Sequence, residues 1–266
     1  MRATTMRTVR LVTPVAAIAL AALPLSAQGR LPGSSWVEAG GLYHHVSNDY
    51  GDWRAGYARA VVVGGRNVWY LDAKAQQAFR DDGVYGSIAN VHTFSSRFYV
   101  QLGIGGGTGK YVLPDLREDL ALNFKLGRRG SLVATVGETY VSSKSVYRDK
   151  AFFGSLSWFA SSTVLIEVGA RANWSNPGSV RTARGSGALT LGRFGRTIVT
   201  LRGGAGGEGY QLLGPPAVPR NFQSREASGS IRQWFSRHWG GVVQGDWYHN
   251  PFYTRAGFSA GLFRAW

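Results

Sequence analysis

Five histidines, His44, His45, His92, His238 and His249, are the only side chains in this sequence that change charge near neutral pH without help from their surroundings. Hydrolysis of a lipid or peptide needs a nucleophile or water activated by a histidine that a carboxylate orients. His44, His45, His249 and Asp246 form a candidate site of that kind, and Asp52, Asp81 and Asp82 lie toward the same end of their strands. No Gly-x-Ser-x-Gly elbow accompanies them, and histidines hydrogen-bonded beside an aromatic girdle are the competing reading. The chain has no cysteine, so thiolate metal sites and cysteine nucleophiles are both excluded. A metal held by His44, His45 and His249 has only adjacency in its favour. The glycines of Gly103–Gly109 lack the Gly-Lys-Ser/Thr of a phosphate loop and read as small residues making room in a wall. No metal and no cofactor is expected.

The remaining chemistry lies in charges that alternate with apolar residues. Val164, Ile166, Val168, Ala170, Ala172 and Trp174 share one face of an extended run whose other face holds Glu167, Arg171 and Asn173. Leu120, Leu122, Phe124 and Leu126 oppose Asp119, Asn123 and Lys125 in the same way, and Trp69, Leu71 and Ala73 oppose Asp72, Lys74 and Gln76. Apolar outward and polar inward is the code of a lipid-embedded barrel. It sends Asp72, Asp119, Glu138, Asp149, Glu167, Glu226 and Asp246 into the lumen together with Lys74, Lys125, Arg171, Arg184, Arg202, Arg232 and Arg255. Two outcomes follow: a salt-bridged network that partly fills the barrel, or opposed charged walls that guide a polar solute. Glu167 and Arg171 stand roughly 13 Å apart by strand rise. Each therefore needs a partner from a neighbouring strand, and for Arg171 the candidates are Glu167 on a neighbouring register or Glu138 across the lumen.

Strands of about ten residues must position these groups. The periodicity predicts about fourteen, an even number between twelve and sixteen, at roughly 36–46, 52–63, 67–79, 84–94, 98–108, 118–127, 131–142, 148–159, 163–174, 183–193, 197–208, 223–235, 239–248 and 254–266. After each even strand comes a turn of about three residues, such as Gly64-Gly65-Arg66, Phe194-Gly195-Arg196 and Ser236-Arg237-His238. After odd strands the links are longer, including Gly109–Arg117, Ser175–Thr182 and Gly209–Phe222. That alternation is the pattern of an up-and-down antiparallel transmembrane β-barrel with short periplasmic turns, longer extracellular loops and both termini inside. Trp69, Phe98, Trp158, Phe194, Phe235, Trp239 and Trp266 fall beside the short turns, and Tyr43, Trp53, Phe79, Tyr85, Trp174, Trp247 and Tyr253 beside the outer loops, which predicts two aromatic girdles. Pro215, Pro216 and Pro219 stiffen the loop Gly209–Phe222, a candidate lid.

Composition agrees. With 37 glycines and 13% aromatic residues in 266, packed helices are disfavoured, and 44% hydrophobic content excludes disorder. Arg2, Arg7 and Arg10 precede an apolar stretch from Leu11 to Leu25 and small residues at Ser26 and Ala27, the order of a secretory signal cleaved after Ala27. The domains are then a signal peptide at 1–27, a short segment at 28–35 and the barrel at 36–266. Loss of three arginines lowers the formal charge from +15 to +12, still strongly basic. Arg66, Arg97, Arg128, Arg129, Arg196 and Arg237 fall in the periplasmic turns, and Lys110, Lys144, Arg148, Lys150, Arg181 and Arg220 at the outer surface, where lipopolysaccharide phosphates are their counter-ions. Cations spread around two rings do not form a nucleic-acid groove, so no nucleic-acid partner is expected.

Gly40-Gly41-Leu42-Tyr43, Asp52-Trp53, Val112-Leu113-Pro114 and the Gly-rich strands ending in Ala265-Trp266 resemble the YaiO family of outer-membrane β-barrels. The resemblance spans nearly the whole mature chain and implies an outer-membrane barrel in a Gram-negative envelope, loosely linked to surface polysaccharide, with no catalytic residues to carry over. The family's barrel sometimes follows periplasmic tetratricopeptide repeats, for which the short segment before the first strand leaves no room. Trp266 is the terminal aromatic that the outer-membrane assembly machinery reads in such barrels, and Arg264 departs from the apolar outward face leading to it. The expected protein is a monomer, a narrow or plugged pore or a surface-glycan-associated envelope component in contact with outer-membrane lipid, lipopolysaccharide and anionic polysaccharide. The alternative is a lipid or peptide hydrolase with the histidine–aspartate site at its extracellular rim.

Overall fold

Strands with one apolar and one polar face leave no backbone group unpaired in lipid only if they close on themselves. The computed structural model of the protein describes residues 34–127, 130–144, 146–210 and 220–266. They form β1 (Trp36–Val46), β2 (Trp53–Gly64), β3 (Asn67–Ala78), β4 (Asp81–Thr93), β5 (Phe98–Gly107), β6 (Leu116–Leu126), β7 (Leu132–Ser142), β8 (Arg148–Phe159), β9 (Val164–Asn176), β10 (Val180–Gly192), β11 (Thr197–Tyr210), β12 (Arg220–Trp234), β13 (Trp239–His249) and β14 (Thr254–Ala265). Each pairs antiparallel with its neighbours in sequence, and β1 pairs with β14 from Trp36 against Ala265 to Val46 against Arg255. The sheet is therefore a closed barrel with no free edge. Among the described residues no helix is long and apolar enough to cross a membrane.

Exposed apolar side chains such as Leu71, Ile88, Leu102, Val136, Val168, Leu201, Val243 and Leu262 cover the outer wall. Trp69, Trp158, Phe194, Phe235, Trp239 and Trp266 are exposed at the short-turn end. Both ends of the described barrel meet there, where the Trp266 amide donates to the Ser35 carbonyl at 3.0 Å. Abundant glycine has a packing cause inside. A Cβ at Gly40 or Gly261 would strike the Tyr57 ring, and one at Gly240 the Phe263 ring, so large aromatics lie flat across neighbouring strands.

The outer end differs from the expectation in its links. β3 and β4 join through Phe79 and Arg80, with φ of 51° and 64°, where a four-residue link was expected. Positive φ at both positions matches the right-handed twist of the flanking strands, as in a type I′ turn. β9 and β10 extend to leave three residues between them, and β11 and β12 absorb the ends of the segment read as a lid. Its prolines, Pro215, Pro216 and Pro219, lie outside the described residues, as do Arg128 and Arg129.

Two sets of residues face opposite to the sequence reading. Trp53, Phe79, Tyr85 and Tyr253, expected in the outer girdle, point inward; Phe79 and Tyr253 are each 2% exposed. Glu138, expected in the lumen, points outward between Leu120 and the exposed Phe152. The neighbouring parity is fixed by Thr135, which donates to Asn123, and Thr139, which donates to Asp119, both at 2.8 Å. Two such inward bonds on β7 force Glu138 onto the other face, where a carboxylate costs less than a lysine or arginine does.

Candidate functional site

The barrel interior is built in three layers. At the outer end Val46, Phe79, Tyr111, Val112, Tyr248 and Tyr253 pack into a buried apolar cap. Tyr111 and Val112 come from the β5–β6 loop, whose residues Tyr111, Val112, Leu113 and Pro114 are all buried. Asp81, itself 3% exposed, holds that loop by accepting from the backbone amides of Lys110, Tyr111 and Val112 at 2.9, 2.8 and 2.8 Å. Such charge-assisted bonds are among the stronger ones a protein makes. The Tyr111 hydroxyl donates to the Phe79 carbonyl, and the Lys144 ammonium donates to the Gly107 carbonyl at 2.9 Å and pairs with Asp115. Burial of the Tyr111 ring, reinforced by the Asp81 charge, raises its phenol above the ordinary range and keeps it a donor.

At the periplasmic end Val61, Val68, Val91, Tyr99 and Val133 form a second buried apolar layer, with Trp36, Tyr70 and Phe159 against it. Directly above this base Glu38 pairs with Arg232 and lies 3.9 Å from Arg59, which bonds Asp72 at 2.9 Å. The Arg232 guanidinium also stacks 4.3 Å from the Phe263 ring centre and 4.7 Å from that of Trp36.

Between the two layers runs a polar belt. Arg117 grips Asp119 through two bonds of 2.7 and 2.9 Å. Arg184 pairs with Glu208 at 2.7 Å and Glu226 at 3.0 Å, while Tyr248 donates to Glu208 at 3.0 Å. Ser157 donates to Glu167 at 3.2 Å. On the β6–β9 side the inward residues Ala121, Asn123, Thr135, Ala151 and Ser157 are buried, although Asp119 keeps 27% of its side chain accessible. On the opposite side the inward side chains of Arg59, Asp72 and Asp246 keep 35%, 28% and 21% of their surface accessible. Because they point away from the outer wall, that accessible polar surface lies inside the barrel, in a chamber between the apolar cap and the apolar base.

The structure thus places Asp72, Lys74, Asp119, Lys125, Asp149, Glu167, Arg171, Arg184, Arg202, Glu226, Arg232, Asp246 and Arg255 on the inner face. Glu38, Arg59, Arg117 and Glu208 join them. β1 and β2 hide theirs because Ala39, Gly40, Gly41, Ala55, Gly56 and Ala58 make both faces small, leaving no alternation to read. Arg171 meets neither expected partner: its Nε donates to Asn173 at 2.7 Å, and no carboxylate lies within 4.0 Å among the described residues.

The rim set is divided by the wall. His44 points inward and lies 3.5 Å from Asp246, whereas His45 and His249 point outward, bonded to Asp52 at 3.0 Å and Thr254 at 2.9 Å. Alternation separates His44 from His45, so adjacent histidines on one strand cannot share a site. Asp52 serves the β1–β2 loop: the Tyr43 hydroxyl and the Val46 amide, with His45, hold its carboxyl below the ordinary range. Among the outer cations, Lys144 is engaged with the β5–β6 loop and Arg148 with its own, donating to the Ser143 carbonyl at 3.1 Å. Lys110, Lys150, Arg181 and Arg220 are exposed. No group of three or more metal-ligating side chains occurs among the described residues.

A closed antiparallel barrel with an apolar outer wall, aromatic rings at its ends and a charged interior is a transmembrane barrel of the outer-membrane type. Solved structures agree on the fold. A monoaromatic hydrocarbon channel superposes with a TM-score of 0.60 at 8% identity over 91% of each chain. An outer membrane channel from Pseudomonas putida F1 superposes at 0.56 and 9% identity, over 89% of this chain and 97% of that one. A bacterial polysaccharide outer membrane secretin superposes at 0.53 and 7% identity, over 86% and 97%. No curated protein matches the sequence. The chain belongs to the YaiO membrane beta barrel domain family, whose model matches residues 35–211.

Proposed function

We propose that the protein is a narrow, gated outer-membrane pore, delivered by signal-directed export, whose resting state is closed. The observation that carries this reading is the accessible polar surface of Arg59, Asp72 and Asp246 between two apolar seals. A purely structural plug would leave little accessible polar surface between the two seals, since voids forfeit packing energy. The gate is the β5–β6 loop, because one carboxylate, Asp81, holds its three amides. That similar barrels are named as channels supports a path through this fold. Lipopolysaccharide phosphates against the exposed outer cations, recognition of Trp266 by the assembly machinery and a monomeric state complete the reading. A hydrolytic rim has no comparable support, since His45 and His249 stand across the wall from His44 and Asp246.

Conductance in planar bilayers tests it. The intact protein gives small or intermittent openings, and Asp81→Ala makes them larger or longer by releasing the loop. Large, steady openings of the intact protein, or an Asp81→Ala trace indistinguishable from it, would overturn the reading.

A further inference from the structure

Lys74 and Arg255 stand out among the charges that line the chamber. Lys74 makes no hydrogen bond or ion pair among the described residues, although it faces inward beside Asp72, which Arg59 occupies. Arg255 has its guanidinium 4.1 Å from the Trp53 ring centre, and its Nε is buried without a hydrogen-bond partner. The two are near enough for their like charges to act on one another, though Asp72 acts on Lys74 more strongly. Asp246 reaches Arg255 electrostatically but is already engaged by His44 and by Gln244, which donates at 2.7 Å.

The strand registers put a defined surface between the two cations. Gln76, Ala55, Leu42, Ser259 and Gln244 form one continuous inward row across β3, β2, β1, β14 and β13. Lys74 lies on the row toward the base, beside Tyr57, and Arg255 toward the cap, above His44 and Trp53. The row offers two amides and a hydroxyl at its ends and a small apolar centre in Leu42 and Ala55. Holding two like charges unpaired in a confined, partly dry space is unfavourable until an anion arrives.

We propose that the chamber binds a small organic carboxylate, its oxygens between Lys74 and Arg255 and its apolar body on Leu42 and Ala55. This deepens the pore reading by naming the class of solute and rests on it for entry past the cap and for transit. Bidentate recognition suits a guanidinium and a carboxylate, and the ammonium adds a second charge-assisted contact.

Calorimetric titration of the full chain, folded in detergent at low salt and incubated long enough for the cap to open, uses benzoate as probe and benzamide as its uncharged counterpart. Benzoate binds, and benzamide binds at least ten-fold more weakly. Lys74→Met weakens benzoate at least ten-fold, and Lys74→Arg restores most of it. Equal affinities for the two probes, no benzoate binding, or unchanged binding in Lys74→Met would overturn the proposal. If Lys74→Met fails to fold, the probe comparison and Lys74→Arg on otherwise intact protein still decide. Benzoate binding without any conductance would sink transit and leave the site, whereas conductance without benzoate binding would sink the site and leave the pore.

Discussion

At the residue scale, the interior separates arginines that neutralise acids from arginines that do not, and their removal should have different costs. Arg184 holds Glu208 and Glu226 together. Arg184→Met strands two inward carboxylates and should destabilise the barrel by about 3 kcal/mol or more. Arg171 donates only to Asn173 and has no carboxylate at ion-pair distance; Arg184 stands beside it in register, and Asp119 and Asp149 act on it from farther off. Arg171→Met therefore removes repulsions and longer-range attractions together with one hydrogen bond and should change stability by about 1 kcal/mol or less. Urea unfolding in lipid compares the two; an Arg171→Met loss as large as that of Arg184→Met would contradict this division. The sequence exposes these residues unevenly. Strands with bulky outward residues, such as β3, β6 and β9, announce their inward charges, while β1 and β2, small on both faces, conceal Glu38 and Arg59. Glu138 misleads because a lone carboxylate is assigned inward by polarity, whereas the threonine bonds on either side of it set the strand's parity.

At the scale of elements, two devices shape the interior: glycines that receive aromatic rings and one loop folded into the mouth. Gly240 lies under Phe263 and against the Gln233 carbonyl. Gly240→Val must displace a ring or the backbone, a strain of about 1–3 kcal/mol, and should reduce the fraction of protein that runs as a compact, heat-modifiable band; an unaltered band would contradict the packing role of this glycine. The loop is a subtler matter. Val112-Leu113-Pro114 and the acids at Asp81 and Asp82 are visible in the sequence, but an apolar segment between two strands looks the same whether it dips into the lumen or lies over it. Only the register that brings Asp81 under three amides of the β5–β6 loop distinguishes them. The β1–β2 loop shows the same dependence on one carboxylate. Asp52 titrates below its usual range when folded, so its contribution is complete above the ordinary aspartate pKa and is lost as pH falls through and below it. Limited proteolysis of that loop should accelerate in acid below about pH 4 and, in Asp52→Ala, already at neutral pH. Equal cleavage of both proteins at neutral pH would argue against the clamp.

At the scale of the whole molecule, the barrel keeps accessible polar surface inside, between an apolar cap and an apolar base. Strand number, closure and the short-turn end were legible because period-two alternation and turn spacing are local properties of the chain. The layering of the interior was not, because it depends on which inward side chains meet across the lumen. The absence of cysteine makes this arrangement directly accessible to chemistry. Gln76 faces the chamber and engages no partner among the described residues, so Gln76→Cys places one thiol between cap and base. Labelling of that thiol by a membrane-impermeant, charged thiol reagent, in folded protein and in the same variant carrying Asp81→Ala, measures access to the chamber. A gated chamber labels slowly in the first and at least ten-fold faster in the second; rapid labelling with Asp81 intact, or equal rates in the two, would contradict a closed resting state held by Asp81.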